Sequence, residues 1–215
     1  MQENTHQFII DTNTAAAIES PQEVVVPRDS RLTYVAYYLG GTCHRKLRIV
    51  LEDGADAQII GVFAGAGDDL FSIDITTEHK GKGSQARTLL HGVLVERAKA
   101  DFKGMIKILP TGNQTNAFLE ERVMVLSEAA QSESLPSLEI EAQDVKASHA
   151  ATTGGLHKEQ LFYALSRGLP RQEAGRMLIE GFLRAPFLAL EVAEQEKVYS
   201  HIASYLMRFP LPDNV

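Results

Sequence analysis

Apolar and polar residues alternate with a period of two through much of the chain between Val24 and about Val145. In "RKLRIVLEDG", Leu47, Ile49 and Leu51 share one face while Lys46, Arg48 and Glu52 surround them. "FSIDITTE" repeats the arrangement with Phe71, Ile73 and Ile75 against Ser72, Asp74 and Thr76. Ile106 and Ile108 continue it in "GMIKILP", and Leu138 and Ile140 do so against Glu139 and Glu141 in "LEIEAQDV". Such alternation predicts short strands with one buried face. Turn residues fall between them at Gly40–Gly41, Gly54, Gly65 to Gly67, Gly81, Gly83, Gly104, Gly112 and Pro136. Strands of this length and spacing predict an all-β body, as a sandwich, a barrel or a solenoid. Two details lean toward a solenoid of parallel strands. "EDGAD" is the single good hairpin signal, and small or polar residues recur at similar intervals, as stacked corners require. At repeats of roughly 20–25 residues, the segment would supply about five or six coils.

After Gly155 the period becomes 3.6. "LHKEQLFYALSRG" places Leu161, Phe162 and Leu165 on one face and stops at Gly168. A second helix begins near Pro170, with Ala174, Met177, Leu178, Gly181 and Phe182 as its apolar stripe. Pro186 ends it and opens a third helix carrying Val198, Ile202, Tyr205 and Phe209. A tail this small lacks a strong core of its own and is expected to lean on the β-body or on a partner. The predicted organisation is a flexible N-terminal segment over 1–23, a β-core over 24–154 and a helical subdomain over 155–215.

Composition narrows the classes. At 215 residues, with 44% hydrophobic and 23% charged residues, the chain can bury a sizeable core without disulfides or a structural metal. Cys43 is its one cysteine, which excludes a disulfide framework and makes the cytoplasm the default compartment. The formal net charge of −7 argues against a general nucleic-acid or anionic-membrane binder. No run approaches a membrane span, and "MQENTHQFIIDTNTAAAIES" has neither the basic nor the apolar region of a signal peptide.

Local motifs exclude more than they assign. Cys43 and His44 in "GGTCHRKL" could complete a cluster site if a second chain supplied the other ligands; the alternative is a buried thiol acting as a small hydrophobe. His44, His91 and His157 share no ligand spacing. No HExxH or CxxC is present, so a metal bound by this chain alone is not expected. "EHKGKGSQAR" is not a phosphate loop because Gly83 follows Lys82, and "GAG" at 65–67 lacks the third glycine of a dinucleotide site. "LFYALSRGLPRQEAGRMLIEGFL" has the helix–turn–helix shape of a DNA reader, with Lys158, Arg167, Arg171 and Arg176 as phosphate contacts; the competing reading is a helical hairpin for protein docking. A carbohydrate-active β-helix would need paired carboxylates, for which Asp53 with Asp56 and Asp68 with Asp69 are the candidates.

Longer passages carry a resemblance. "TTEHKGKGSQARTLLHGVLVERAKADFKGMIKI" and "LPSLEIEAQDVKASHAATTGGLHKEQLFYALSRGL", with "LSEAAQSESLPSLEI" leading into the second, resemble the C-terminal half of the SufB/SufD family of iron–sulfur cluster assembly scaffolds over about residues 32 to 184. The resemblance implies a right-handed parallel β-helix (solenoid) followed by a small helical subdomain, and a non-enzymatic scaffold of the SUF system. It implies a SufC-type ABC ATPase docked on the C-terminal helices, around Phe162, Tyr163, Arg167 and Arg176. It also implies a SufB/SufD-type chain as homo- or heterodimer partner through the end of the β-helix. No cofactor is expected on the isolated chain, and a transient iron–sulfur cluster is expected in the assembled complex. His149 matches the histidine of the family's Ser-His-Gly-Ala-Thr run, which in SufD-type chains lies near the partner interface and is implicated in cluster formation; the alternative is a histidine bonding a carbonyl at the solenoid's end. His79 matches a family histidine expected near the coil surface. The chain departs from the pattern at Ala147, where the family has cysteine, and at Ala150, where it has glycine. A thiolate ligand is therefore missing there, as in a SufD-type or reduced chain.

Overall fold

The computed structural model describes residues 5–13 and 22–212. Its strands are β1 His6–Thr12, β2 Glu23–Val26, β3 Arg31–Leu39, β4 Thr42–Leu51, β5 Asp56–Gly65, β6 Leu70–His79, β7 Gln85–Leu94, β8 Lys99–Ile108, β9 Asn116–Val125, β10 Gln131–Ile140 and β11 Lys146–Gly154. Odd and even strands segregate. One sheet runs β1-β3-β5-β7-β9-β11 and the other β10-β8-β6-β4-β2. Neighbours in both pair in parallel. The chain thus winds as a parallel solenoid of about five turns, each contributing one strand to each sheet. Equivalent places Arg31, Asp56, Gln85, Asn116 and Lys146 lie 25, 29, 31 and 30 residues apart. The coils are longer than the expected repeat because most hold two nine- or ten-residue strands as well as two corners.

The alternation does what parallel stacking requires. Every second residue enters the lumen, and in-register residues form columns along the axis. One column reads Tyr34, Ile59, Thr88, Leu119 and His149; another reads Leu51, His79, Ile108 and Ile140. The lumen is filled by Leu32, Tyr34, Ile49, Leu51, Ile59, Phe63, Phe71 and Phe102, all buried. Asp-Gly at 53–54, the expected hairpin signal, is instead a corner between the sheets, where Gly54 takes φ +64°. A Cβ at Gly54 would also sit 2.3 Å from Asp29 Oδ1.

The outer face of the odd-strand sheet is buried too, which explains the nearly continuous apolar runs "LTYVAYYL" and "IIGVFAG". The covering elements are α2 Arg171–Arg184, a 3₁₀ turn Ala185–Ala189 and α3 Val192–Leu206, while α1 Lys158–Ser166 packs on α2. Ile179, Leu183, Phe187, Val198, Ile202 and Leu206 pack against Val35, Ile60, Val62 and Val93. The tail therefore borrows its core from the solenoid. α1 ends in a Schellman motif: Leu169 N–H donates to Ala164 O, Gly168 N–H donates to Leu165 O, and Gly168 takes φ +88°.

The sequence-based expectations need correcting at several points. Pro186 lies in the 3₁₀ turn, and α3 starts six residues later. Phe162 does not share the buried face of Leu161; it is exposed. On α2 the buried positions are Ala174, Gly175, Ile179 and Leu183, with Met177 turned outward. Part of the segment expected to be loose, 1–23, is strand β1, paired with β3. Asp11 anchors it, buried in the lumen, where it accepts hydrogen bonds from Tyr34 Oη at 2.8 Å, Tyr38 Oη at 2.6 Å and Arg45 Nε at 3.3 Å. Residues 1–4 and 14–21 of that segment lie outside the described residues.

Candidate functional site at the open end of the solenoid

Strands β10 and β11 close the stack, and each is paired on one side only among the described residues. The last coil is consequently the most exposed. Leu138 and Ile140 of β10 are 38% and 42% exposed, whereas the preceding coils bury the same columns; Leu135, 52% exposed, points outward in the column of Lys103 and Asp74. Such a row of unpaired backbone donors and acceptors is a template for another chain.

His149 sits on this coil. Its register partner is Leu119, so it occupies an inward column, yet it is exposed because no coil among the described residues lies above it. Its inward neighbours on β11 are small, Ala147 and Ala151. One coil below, Glu121 of β9 also faces the lumen, in register with Leu90 and Ala151. Glu121 is 1% exposed, and burial raises its carboxyl to about 7, an effect the nearby Ser134 hydroxyl softens. Among the described residues, Glu121 Oε1 and the hydroxyls of Ser132 and Ser134 on the facing strand have no hydrogen-bond partner. The sequence reasoning passed over Glu121. The signal was available: it falls in phase with Ala117, Leu119 and Val123, the inward residues of its strand.

The other two cluster candidates lie elsewhere. Cys43 is buried on β4, in register with Phe71, and burial pushes its thiol up to about 11. It is three coils from β10, on the order of 14 Å along the axis at one strand spacing per coil. His79, expected near the surface, is fully buried at the end of β6. Desolvation holds its imidazole down at about 4, and its Nδ1 lies 2.8 Å from Ser84 Oγ. His149, Cys43 and His79 therefore do not converge. Among the described residues no three His, Cys, Asp or Glu side chains gather closely enough to hold a metal ion.

The helical candidates fare unevenly. Phe162 is 73% and Tyr163 60% exposed, and the Arg167 guanidinium lies 5.0 Å from the Tyr163 ring centre. Arg176 is half-buried, with Nη1 enclosed and unpartnered, so it belongs less to this surface than the other three. Two contacts tie α2 to the solenoid: His91 Nδ1–H donates to Phe182 O at 2.9 Å, and the two rings stack at 4.5 Å. A cleft of about 960 Å³ lies between α1, α2 and the last coils, bordered by Arg122, Thr152, Lys158, Met177 and Phe182.

The rival readings find less support. Asp68 is held by two hydrogen bonds from Arg97, both 2.7 Å, and Asp56 pairs with Arg31. Asp53 binds Arg28 and the Lys82 N–H, and Asp69 caps the Ala66 and Gly41 N–H groups. These carboxylates brace corners between coils. α2, which would be the DNA-reading helix, buries one face on α1 and the β-body.

Residues 5–182 match the family described as "SUF system FeS cluster assembly, SufBD core domain". The chain belongs to the SufB/SufD family. Within that family it is 35% identical over 158 residues to the iron–sulfur cluster assembly protein SufD of Bacillus subtilis (strain 168), covering 73% of this chain and 36% of that protein. It is 32% identical over 180 residues to an iron–sulfur cluster assembly SufBD family protein of Mycobacterium tuberculosis (strain H37Rv), covering 79% and 45%. It is 33% identical over 105 residues to the SufD of Escherichia coli (strain K12), covering 49% and 25%. The chain thus spans less than half the length of these SufB/SufD relatives. No helix among its described residues is long and apolar enough to cross a membrane.

Proposed function

We propose that the chain is a non-enzymatic scaffold of SUF iron–sulfur cluster assembly. It pairs through its last coil with a second SufB/SufD-type chain and holds a SufC-type ABC ATPase on α1 and α2. The observation that carries this reading is the uncapped terminal coil, which offers strand edges unpaired among the described residues, an apolar fringe at Leu138 and Ile140, and His149 at the lumen's mouth.

Chemistry supports the division of labour. A neutral imidazole can replace thiolate as a cluster ligand, as in Rieske centres. With Ala147 in place of cysteine, this chain contributes nitrogen and oxygen donors, and thiolates come from the partner. The cluster is cargo, held transiently in the assembled complex. For the ATPase, Phe162 and Tyr163 supply an aromatic anchor and Arg167 a fixed charge beside it, the residue types that dominate docking energy. ATP-driven movement of the docked ATPase would reach the solenoid at β7 through the Phe182–His91 contact of α2.

Co-purification with a SufC-type ATPase tests the reading. The intact chain should retain the ATPase, and Phe162→Ala or Arg167→Ala should weaken retention by roughly tenfold or more at about 2 kcal/mol per anchor. Failure of the intact chain to hold the ATPase would refute it.

A further inference from the structure

We propose that α1 is a lid: it rolls on α2 and folds Phe162 into the cleft between α1, α2 and the last coils, hiding the aromatic surface that it presents when open. The hinge and the cleft stand on their own geometry. The consequence, that a closed lid keeps the ATPase off until it is lifted, rests on the docking reading above.

α1 is held more weakly than its neighbours. It has nine residues, and isolated helices shorter than about 12–15 residues are marginal in water. Its start has no side-chain cap. Its buried side chains, Leu161 and Ala164, cluster with Ala174 of α2. Among the described residues it adds nothing to the core that fixes α2 and α3 on the sheet. With alanines on both helices, the contact suits the small sliding of packed helices seen in shear motions. Both joints can turn. Leu156 leans on the sheet core as a pivot, with Gly154 and Gly155 before it, and Gly168 closes the far end at φ +88°. Adjoining residues aside, no atom lies within 4 Å of where a Cβ would stand at any of these three glycines.

Helix phase sets what closure buries. Lys158 and Glu159 of the first turn line the cleft. Residues three and four positions apart are neighbours on a helix surface, so Phe162 and Tyr163 stand one turn further along the same side. Phe162 is 73% exposed there. The cleft, about 960 Å³, has Val123, Met124, Met177 and Phe182 among its lining residues, and Met177 is 48% exposed. Closing therefore removes two facing apolar surfaces from water, which is favourable. Residues 161–165, Leu-Phe-Tyr-Ala-Leu, carry apolar surface all round the helix, so α1 keeps an apolar face for α2 in both positions.

The test uses the full chain without the ATPase. Thr152 of β11 lines the far side of the cleft. A chain carrying Thr152→Cys and Phe162→Cys is oxidised mildly and the disulfide identified by peptide mass. Such a bond needs Cα atoms within about 7 Å, so it reports contact across the cleft. Thr152→Cys with Arg167→Cys, which lies off the closing face, is the comparison. Cys43 is buried with its thiol pushed up to about 11, so it stays out of the exchange. The first pair should close roughly tenfold faster than the second, from its higher effective concentration. As a second readout, Phe162→Trp puts a single indole into a chain that has none. Acrylamide should quench that indole less than the same indole combined with Met177→Asp, which sets a charge in the cleft. Equal rates for the two pairs, or equal quenching with and without Met177→Asp, would overturn the inference. Neither outcome bears on retention of the ATPase by the parent chain, so the docking reading stands or falls separately.

Discussion

His79 offers a quantitative test of the lumen as a dry interior. It is fully buried between Leu51 and Ile108, and desolvation holds its imidazole near 4 against an ordinary value of 6.5. The folded chain therefore keeps His79 neutral while the unfolded chain protonates it below 6.5. Proton binding to the unfolded state alone costs the fold stability as pH falls from 6.5 toward 4, and the loss levels off below that. A depression of this size corresponds to roughly 2–3 kcal/mol between pH 7.5 and pH 4.5. His79→Leu removes the titration and continues the apolar column. At pH 7.5 the variant should lie within about 1 kcal/mol of the parent, the cost of the lost hydrogen bond to Ser84, whose hydroxyl still donates to Gly81 O. At pH 4.5 the variant should gain roughly 2–3 kcal/mol relative to that starting difference. Urea unfolding followed by circular dichroism at both pH values measures each term, and other titrating groups cancel in the comparison. Parallel losses in parent and variant would show that His79 is solvated and would refute the reasoning.

Other expectations follow from the same packing. Phe187→Ala, at a fully buried position beneath the helices, should cost about 3–5 kcal/mol in urea unfolding and expose the 154–157 joint to limited proteolysis. Gly92→Ala would place a Cβ 2.1 Å from the Phe63 ring and should cost about 1–3 kcal/mol, with Phe63→Leu in the same chain recovering part of the loss. Cys43 is 1% exposed with its thiol held near 11, so a disulfide-exchange reagent at pH 8 should label it only after urea is added; rapid labelling of the folded chain would contradict its place in the lumen.

The solenoid was legible because its period is local: each alternating run reports a strand with one wet face, as in "FSIDITTE". The coil length was not, since corner residues such as Pro110 to Thr115 carry no periodic signal and set how far one strand lies from the next. β1 escaped notice because its value is nonlocal. Asp11 looks like a surface residue until Tyr34, Tyr38 and Arg45, more than twenty positions away, converge on it. His149 was singled out by the Ser-His run, and it occupies an inward column of the last coil. Glu121 was hidden by the assumption that a lumen is filled with apolar side chains, although the strand phase pointed inward. The exposure of Phe162 and Tyr163 depends on how α1 rotates against α2, which helical spacing alone left ambiguous.

The helices lie across the coils of the odd-strand sheet, touching strands from β3 to β9, whereas β10 lies in the opposite sheet. They act as a splint: a pull on α2 is shared among several rungs and does not peel one away. The terminal rung lies largely beyond that bracing, so it should open and close at the lowest energetic cost in the stack. Load can thus be borne by one part of the molecule while another part stays free to yield.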